Sequence, residues 1–340
     1  METENSKQQA KTPGMKRRTK IILWIAGILI IILLAVVLFG ANYLVTFAIA
    51  RSTGLQNIAP ESTLSDEALQ DIVDTWQVQA RQAEDWMGSS DVQEISIQSD
   101  DGLTLRGEAI ITDPESHSWV LAVHGYRSSR ASMRALASYY GLRGYNTLIP
   151  DLRGCGESEG EYVGMGWPDR LDMLGWIRWI TEKDPEASIV LHGISMGGAT
   201  VMMTAGEMLP EQVKAIVEDC GYTSVWDIFE DEMAYLFHLP AFPMLYVASS
   251  IASNRAGYSF TEASSLHQIA KAQVPVLFIH GSEDNFVHTD MVYKVYDACP
   301  TEKQLLVVDG AGHGNSYNHA PDLYFDTVFG FLGSYMPGEQ

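Results

Sequence analysis

One serine lies between glycines at a spacing that favours nucleophilic chemistry. Gly193, Ser195 and Gly197 form a Gly-x-Ser-x-Gly motif that follows an apolar strand at residues 189–191 and opens a predicted helix. The chain must turn so sharply there that the serine is held in strained geometry with its hydroxyl exposed, and the glycines leave room around it. A chance glycine-rich turn is the alternative. The context favours Ser195 as a nucleophile that attacks an acyl carbon.

A serine hydroxyl needs a base within hydrogen-bond reach and a carboxylate that orients the base. On a parallel sheet with such a turn, the acid and then the base follow the nucleophile along the chain, each after a later strand. Asp284 and His313 stand in these positions, in Gly-Ser-Glu-Asp and Gly-Ala-Gly-His-Gly. We therefore predict a triad of Ser195, Asp284 and His313, with Glu283 and Asp219 as possible substitute acids.

The other histidines fit structural roles better. His192 and His280 end predicted strands and are expected to satisfy neighbouring loops, and His288 lies at a helix start. Four more, His117, His238, His267 and His319, are interpreted as surface or packing residues.

Attack on an acyl carbon places negative charge on the carbonyl oxygen, which backbone N–H groups stabilise. Met196 follows the nucleophile, and the sequence His-Gly-Tyr-Arg at residues 124–127 follows the predicted strand at 119–123. We predict an oxyanion hole formed by the backbone N–H groups of Met196 and Tyr126, with the Tyr126 ring bordering the acyl pocket. Arg153, in the loop after the next strand, is interpreted as structural; an alternative role is to bind a substrate carboxylate.

The N-terminal region predicts a membrane anchor. Residues 21–40 carry no charge, and about 20 helical residues span the hydrocarbon core of a bilayer. Six basic residues against two acidic ones give the first twenty residues a net charge of +4, so the positive-inside rule keeps this end cytoplasmic. A signal peptide cleaved near residues 48–50 is the alternative, but its apolar core is usually shorter.

Charge and cysteine content narrow the function further. The whole chain carries −21, which leaves −25 for residues 41–340, so nucleic acid is an unfavourable partner for this acidic domain. Cys155, Cys220 and Cys299 are odd in number and widely spaced, which indicates neither a disulfide framework nor a zinc site. The oligomeric state is not readable from the sequence.

The chain divides into four predicted parts: a cytoplasmic basic tail (1–20), a transmembrane signal-anchor helix (21–48), a linker with an amphipathic helix (49–90) and a catalytic domain (91–340). The amphipathic helix, over 65–87, either packs on the domain, which we favour, or lies on the membrane through Trp76 and Trp86. A hairpin over 92–111 precedes alternating strands and helices, so we expect about eight strands, the last six mostly parallel. An aromatic-rich insertion at 222–273, broken by Pro240 and Pro243, is placed to cover the site as a helical lid or to pack on the sheet edge.

Together these motifs, over residues 92–336, resemble the α/β-hydrolase superfamily. Within it, the sequence is similar to membrane-anchored or secreted bacterial hydrolases related to serine aminopeptidases and cinnamoyl esterases. The resemblance implies an α/β fold and acyl transfer to water through an acyl-enzyme, with no metal or cofactor. The departures are Asn285 to His288, where many relatives have Asp-x-x-Val-Pro, and Gly314 after the histidine.

We expect an esterase acting on a small-molecule acyl substrate, and the aromatic lid favours an apolar acyl group. A serine aminopeptidase-like peptidase is the first alternative, and it would need an acidic clamp such as Glu230, Asp231 and Glu232. A non-catalytic binding protein on the same fold is the second; a strained serine gives it no advantage.

Overall fold

A long apolar helix is followed by an α/β domain. The computed structural model describes residues 17–51 and 66–336. The first sixteen residues of the predicted basic tail and most of the predicted linker therefore lie outside the described residues. Within the described ranges, eight strands form one sheet: β1 (Asp91–Gln98), β2 (Thr104–Ile111), β3 (Ser118–Val123), β4 (Asn146–Pro150), β5 (Ser188–Ile194), β6 (Val213–Asp219), β7 (Val276–Gly281) and β8 (Lys303–Val308).

The helices of the described residues connect and cover these strands. They are α1 (Arg17–Ile49), α2 (Asp66–Ser89), α3 (Arg134–Gly141), α4 (Asp169–Lys183), α5 (Met196–Thr204), α6 (Val225–Phe237), α7 (Met244–Ala256), α8 (Ser265–Ile269), α9 (Asp290–Ala298), α10 (Ser316–His319) and α11 (Pro321–Leu332). A 3-10 turn at Arg130–Met133 leads directly into α3. Pro321, whose fixed φ suits a first helical turn, opens α11.

The strands lie in the order β1-β2-β4-β3-β5-β6-β7-β8. β1 pairs with β2, and β2 with β4, in antiparallel fashion, whereas every pair from β4 to β8 is parallel. The prediction of about eight strands, the last six mostly parallel, is confirmed. Because parallel strands end at one edge, the loops after β3, β5, β7 and β8 meet there.

Helices cover both faces of the sheet, so its central strands are buried on both sides. β5 is buried over six of its seven residues. On one face, α3 and α11 pack through side chains such as Leu136 and Val328. On the other face, α4, α5, α8 and α9 pack in a larger core, which also includes side chains of α6, α7 and the end of α1.

Helix α2 packs on the domain rather than standing free. Trp86 is buried, and its indole N–H donates to Thr112 Oγ1 at 2.9 Å. The ring lies against Gly141 of α3, at a position where any side chain would collide with it. Trp76 remains half exposed. The favoured interpretation of this helix, packing on the domain, agrees with the structure.

Helix α1 has two parts that differ in their surroundings. In the described residues it is the one helix long and apolar enough to cross a membrane, with a mean hydropathy of 3.4. Residues 17–36 are exposed except for Gly27, whereas Val37, Ala41, Val45 and Ile49 are buried. Their spacing of four residues places them on one face of the helix. The last thirteen residues of α1 therefore pack on the domain.

The insertion between β6 and β7 forms helices, as predicted. It contains α6, α7 and α8, and both Pro240 and Pro243 lie in the connection between α6 and α7. Ser224 caps α6, because its hydroxyl accepts the Asp227 N–H at 3.0 Å. We refer to α6, α7 and their connection as the lid.

Candidate active site

Ser195 stands at the sharp turn from β5 to α5. Its φ of 59° and ψ of −118° lie in a region that non-glycine residues rarely adopt. The Ser195 N–H donates to the Asp219 carbonyl at 2.7 Å, which ties the turn to the end of β6. A Cβ on Gly193 would collide with the Gly197 main chain, and a Cβ on Gly197 would collide with the end of β3. The glycines are thus required by close backbone approach.

The structure brings the three predicted triad residues together. Ser195 Oγ lies 2.8 Å from His313 Nε2, and His313 Nδ1 lies 2.7 Å from Asp284 Oδ2. The second carboxylate oxygen of Asp284 accepts the backbone N–H groups of Phe286 at 3.0 Å and Val287 at 2.9 Å. These two bonds fix the carboxylate, which in turn fixes the imidazole. The arrangement has the geometry that base-assisted attack by a hydroxyl requires.

Asp284 is buried yet suited to remain ionised. Burial alone would raise its pKa, but the charges and hydrogen bonds of His313 and His280 outweigh that effect and hold the pKa well below its usual range. His280 Nε2 lies 3.2 Å from Asp284 Oδ2 and donates to the Val287 carbonyl at 2.8 Å. His280 therefore satisfies the loop that carries Asp284, as expected.

The alternative acids occupy different places. Glu283 is exposed, while Asp219 is buried and accepts the Ser316 hydroxyl at 3.4 Å. Burial raises the pKa of Asp219 to about 6. The oxygen nearest to His313 Nδ1 belongs to Asp284, so the geometry favours Asp284 over both.

His192 differs from the expectation that it satisfies a loop. Its two ring nitrogens lie 2.8 Å from the Tyr140 hydroxyl on α3 and 2.9 Å from the Tyr324 hydroxyl on α11. Burial lowers the pKa of His192 to about 3, so the ring stays neutral. It joins two helices on one face of the sheet because β5 points this side chain into the core on that face, an orientation that the sequence alone does not reveal.

The two residues predicted for the oxyanion hole flank the nucleophile. Met196 is the first residue of α5, whose amino end favours negative charge. Gly125, next to Tyr126, lies so near Ser195 that a Cβ there would be 3.4 Å from the Ser195 Cβ. The loop after β3 therefore passes beside the serine. The use of the Tyr126 and Met196 N–H groups stays a prediction.

Arg153 is fully engaged inside the protein. Its guanidinium donates to Asp172 Oδ2 and Oδ1, both at 2.7 Å, and to Asp101 Oδ2 at 2.8 Å. These bonds join the loop after β4 to α4 and to the β1–β2 turn. The geometry favours the structural interpretation over capture of a substrate carboxylate.

A buried acid lies behind the nucleophile. Glu218 on β6 accepts the Gly221 N–H at 3.0 Å, and a Cβ on Gly198 would lie 3.3 Å from the same carboxylate oxygen. Burial raises the pKa of Glu218 to about 8, against an opposing effect of His280. Its neutral form is therefore favoured near neutral pH.

Cys220 also lies close to the predicted triad, a position that no sequence motif indicates. Its Sγ and one ligand atom each of Asp284 and His313 lie within 4.8 Å of one another. Three such atoms could in principle hold a metal ion, but burial raises the pKa of the Cys220 thiol well above its usual range, which disfavours the thiolate that a metal prefers. Asp284 and His313 are instead hydrogen-bonded to each other.

A largely apolar pocket opens beside Ser195 and encloses about 830 Å³, its open mouth included. The lid supplies much of the wall, through Ile228, Phe229, Met233, Phe237, Leu245 and Ala248. Tyr126 and Phe286 also border it. The insertion and Tyr126 therefore lie beside Ser195 at this pocket, and coverage of a working active site by the insertion stays a prediction.

One acidic side chain of the lid enters this apolar wall. Of the three acids considered for a clamp, Glu232 lines the pocket. Burial, together with the charge of Asp231, raises the pKa of Glu232 to about 7. An ammonium group beside it would favour the ionised form, whereas an apolar ligand would favour the neutral form.

The end of α1 forms part of the same pocket, which sequence reasoning missed. Leu44, Phe47 and Ala48 all line it together with Ser195. The available signal was the length of the apolar segment, which continues for about ten residues beyond what a bilayer requires.

The comparisons with known proteins agree with this architecture. A family model described as "alpha/beta hydrolase fold" matches residues 118–243. The uncharacterized protein YqkD of Bacillus subtilis is 29% identical over 56% of this chain, and the match spans 62% of that relative's length.

Two solved structures share the fold. The Pyrococcus furiosus esterase Pf2001 has a TM-score of 0.61 and 24% identity, covering 83% of this chain and 100% of its own. The Pyrococcus horikoshii acylaminoacyl peptidase has a TM-score of 0.55 and 18% identity, covering 74% of this chain and 42% of its own. With its eight-stranded sheet and the serine at the turn after β5, the chain has the α/β-hydrolase fold.

Proposed function

We propose that the chain is a membrane-anchored serine hydrolase that cleaves a carboxylic ester. The observation that carries this proposal is the pair of contacts from Ser195 Oγ to His313 Nε2 at 2.8 Å and from His313 Nδ1 to Asp284 Oδ2 at 2.7 Å. The apolar pocket beside Ser195 supports an ester with an apolar acyl group as substrate.

In the proposed mechanism, His313 Nε2 takes the proton of Ser195 Oγ as that oxygen bonds to the acyl carbon. The carbonyl oxygen becomes an oxyanion, which the N–H groups of Tyr126 and Met196 stabilise. The bond from the acyl carbon to the alcohol oxygen then breaks, and His313 gives its proton to that oxygen. Water repeats both steps on the acyl-enzyme, which releases the carboxylic acid and restores Ser195.

The membrane location is part of the proposal. The exposed apolar half of α1 and the basic residues before it support a single-pass protein of the cell membrane, with a cytoplasmic N-terminus and an extracellular domain. Cleavage near residues 48–50 would cut a segment held in the domain, since the Val163 N–H donates to the Ile49 carbonyl at 2.7 Å and the Arg51 N–H to the Glu161 carbonyl at 2.8 Å. These bonds favour an uncleaved anchor. An antibody against a C-terminal tag should bind intact cells, and binding only after permeabilisation would contradict the orientation.

A peptidase that releases N-terminal residues is the second candidate, and Glu232 in the pocket is the observation that favours it. Its carboxylate could bind the substrate ammonium. The acid stands alone in an apolar wall and its pKa is raised to about 7, which weakens a fixed negative charge at neutral pH. An ester hydrolase therefore remains the favoured function.

The test uses the full-length chain in detergent micelles, because α1 contributes to the pocket. Chromogenic esters of increasing acyl length and an aminoacyl anilide are offered to the wild type and to Ser195→Ala. Ester hydrolysis that disappears in Ser195→Ala supports the proposal. Anilide hydrolysis alone would assign the peptidase, and a lack of turnover on every substrate would favour a binding protein on this fold.

A further inference from the structure

The span of α1 places the domain directly against the bilayer. Residues 21–40 rise about 30 Å as a helix, which matches the hydrocarbon core of a membrane. Contact with the domain begins at Val37, which is buried, and at Gly40, where a Cβ would lie 2.5 Å from Met244 Sδ at the start of α7. The lid therefore meets α1 at the point where the helix leaves the lipid.

The pocket lies a short way beyond this point. Leu44 and Ala48 are four and eight residues past Gly40, which corresponds to about 6 and 12 Å along the helix. Both line the pocket with Ser195. Phe47 also lines it, and its ring meets the Phe237 ring of the lid edge-on at 5.7 Å between centroids. The pocket thus lies between α1 and the lid, next to the membrane surface.

Helix α1 is also joined to the loop beside the nucleophile. The Tyr126 hydroxyl donates to the Ala48 carbonyl, and the Arg127 guanidinium donates to the Phe47 carbonyl. These bonds satisfy carbonyls of the last turn of α1, which have no partner within the helix. Burial raises the pKa of Tyr126 to about 12, so its hydroxyl remains a donor.

The outer surface of the lid is apolar where it approaches α1. Leu239, Phe242 and Tyr246 are 38%, 73% and 57% exposed, and they lie in or next to the α6–α7 connection. Met244, which contacts Gly40, is in the same segment. Exposed apolar side chains that continue from a membrane-spanning helix are the kind of surface that enters the membrane interface.

From these contacts we propose that the substrate is a long-chain acyl ester resident in the bilayer, whose chain enters the pocket between α1 and the lid and lies against Leu44, Phe47 and Ala48. This inference rests on the proposed esterase function. In this proposal, the anchor helix determines which acyl groups bind and also holds the protein at the membrane.

The test uses full-length protein in phosphatidylcholine vesicles and two esters with one fluorescent alcohol. 4-Methylumbelliferyl oleate is embedded in the vesicles or delivered from albumin, and 4-methylumbelliferyl butyrate is added in solution. Ala48→Trp places a much larger side chain at the pocket wall, and Leu44→Phe places a slightly larger one there. Thr46→Trp is the matched control, because Thr46 is exposed on the same turn.

We expect Ala48→Trp to lower kcat/KM for the oleate at least about tenfold, since each excluded methylene is worth roughly a factor of four. Butyrate turnover is measured in parallel as the reference for acyl length, and the thermal midpoint of unfolding checks that the variant folds. Thr46→Trp should behave as the wild type. An unchanged ratio of oleate to butyrate turnover in both Ala48→Trp and Leu44→Phe would overturn the role of α1.

The route from the bilayer is tested at the lid surface. Leu239→Asp and Phe242→Asp should lower turnover of the vesicle-embedded oleate at least about fivefold, because charged side chains are unfavourable in the interface. Butyrate turnover should remain. Met208→Asp is the control, since Met208 is 91% exposed outside the lid. A wild type that prefers albumin-delivered oleate would overturn entry from the bilayer, whereas a wild type inactive on both oleate and butyrate would instead refute the esterase function itself.

Discussion

Replacement of Asp284 by asparagine tests the triad more sharply than removal of the serine, because the structure dictates how the new side chain must lie. The Phe286 and Val287 N–H groups donate to one oxygen of Asp284, at 3.0 and 2.9 Å. The asparagine carbonyl must therefore stay there. Its NH₂ group then occupies the position of Oδ2, which now lies 2.7 Å from His313 Nδ1.

Two donors would then face each other unless the imidazole changes its tautomer. The proton would move to Nε2, the nitrogen 2.8 Å from Ser195 Oγ. A protonated Nε2 cannot accept the serine proton, so the base is lost although the geometry is kept. We expect kcat to fall about 10⁴-fold, or ~5.4 kcal/mol at ~1.36 kcal/mol per decade, with little change in KM.

The assay is butyrate ester hydrolysis by the full-length chain in micelles, with intrinsic fluorescence as a check on folding. Asp219→Asn is the matched control, since Asp219 is a buried acid near the site and accepts the Ser316 hydroxyl instead. It should retain activity within about tenfold of the wild type, because it leaves the His313 tautomer unchanged. Comparable losses in both variants, or near-normal kcat in Asp284→Asn, would refute the assignment of the orienting acid.

Three further substitutions test the surrounding structure. Gly197→Ala should destabilise the fold by about 3 kcal/mol because its Cβ meets the end of β3, whereas Gly330→Ala, with open space around it in α11, should raise the thermal midpoint slightly. Arg153→Ala should cost about 3 to 5 kcal/mol in chemical denaturation, since Asp172 is left buried without its partner, and the KM for neutral esters should not change. Glu218 has a folded pKa of about 8 and an ordinary value of 4.5, so between these values the folded state binds more protons than the unfolded one. Stability should therefore fall as pH rises from about 6.5 to 8, by up to ~1.4 kcal/mol per unit, and Glu218→Gln should show a shallower decline in fluorescence-monitored unfolding; an equal slope in both proteins would contradict this.

The residues of the predicted triad could be found from the sequence because their signals are local. The glycines around Ser195 report a close backbone approach that the turn itself requires. Asp284 and His313 follow buried strands, and parallel strands end at one edge of the sheet. The parallel sheet could also be predicted, because the alternation of strands and helices is a pattern of the local sequence.

Contacts between distant segments were not accessible. The Arg130 guanidinium donates to Glu108 Oε1 on β2 at 3.1 Å and to Asp151 Oδ2 in the loop after β4. No local sequence pattern pairs these residues. Cys220 enters the triad region through a backbone turn with a φ of 49°. The role of α1 in the pocket could not be predicted, because apolar residues that face protein have the same hydropathy as apolar residues that face lipid.

If α1 is the proposed membrane anchor, its attachment also fixes how the domain stands on a membrane. Val45 and Ile49 are buried, and the helix passes without a break from the exposed half into the domain. A domain on a flexible tether can swivel and reach away from the surface, whereas a domain fused to a helix shares the tilt of that helix. Ala48, which lines the pocket with Ser195, lies about 12 Å along α1 beyond Gly40, so the pocket would keep a fixed distance from the proposed lipid boundary. A thicker or thinner bilayer would tilt the whole domain and its pocket mouth with the helix.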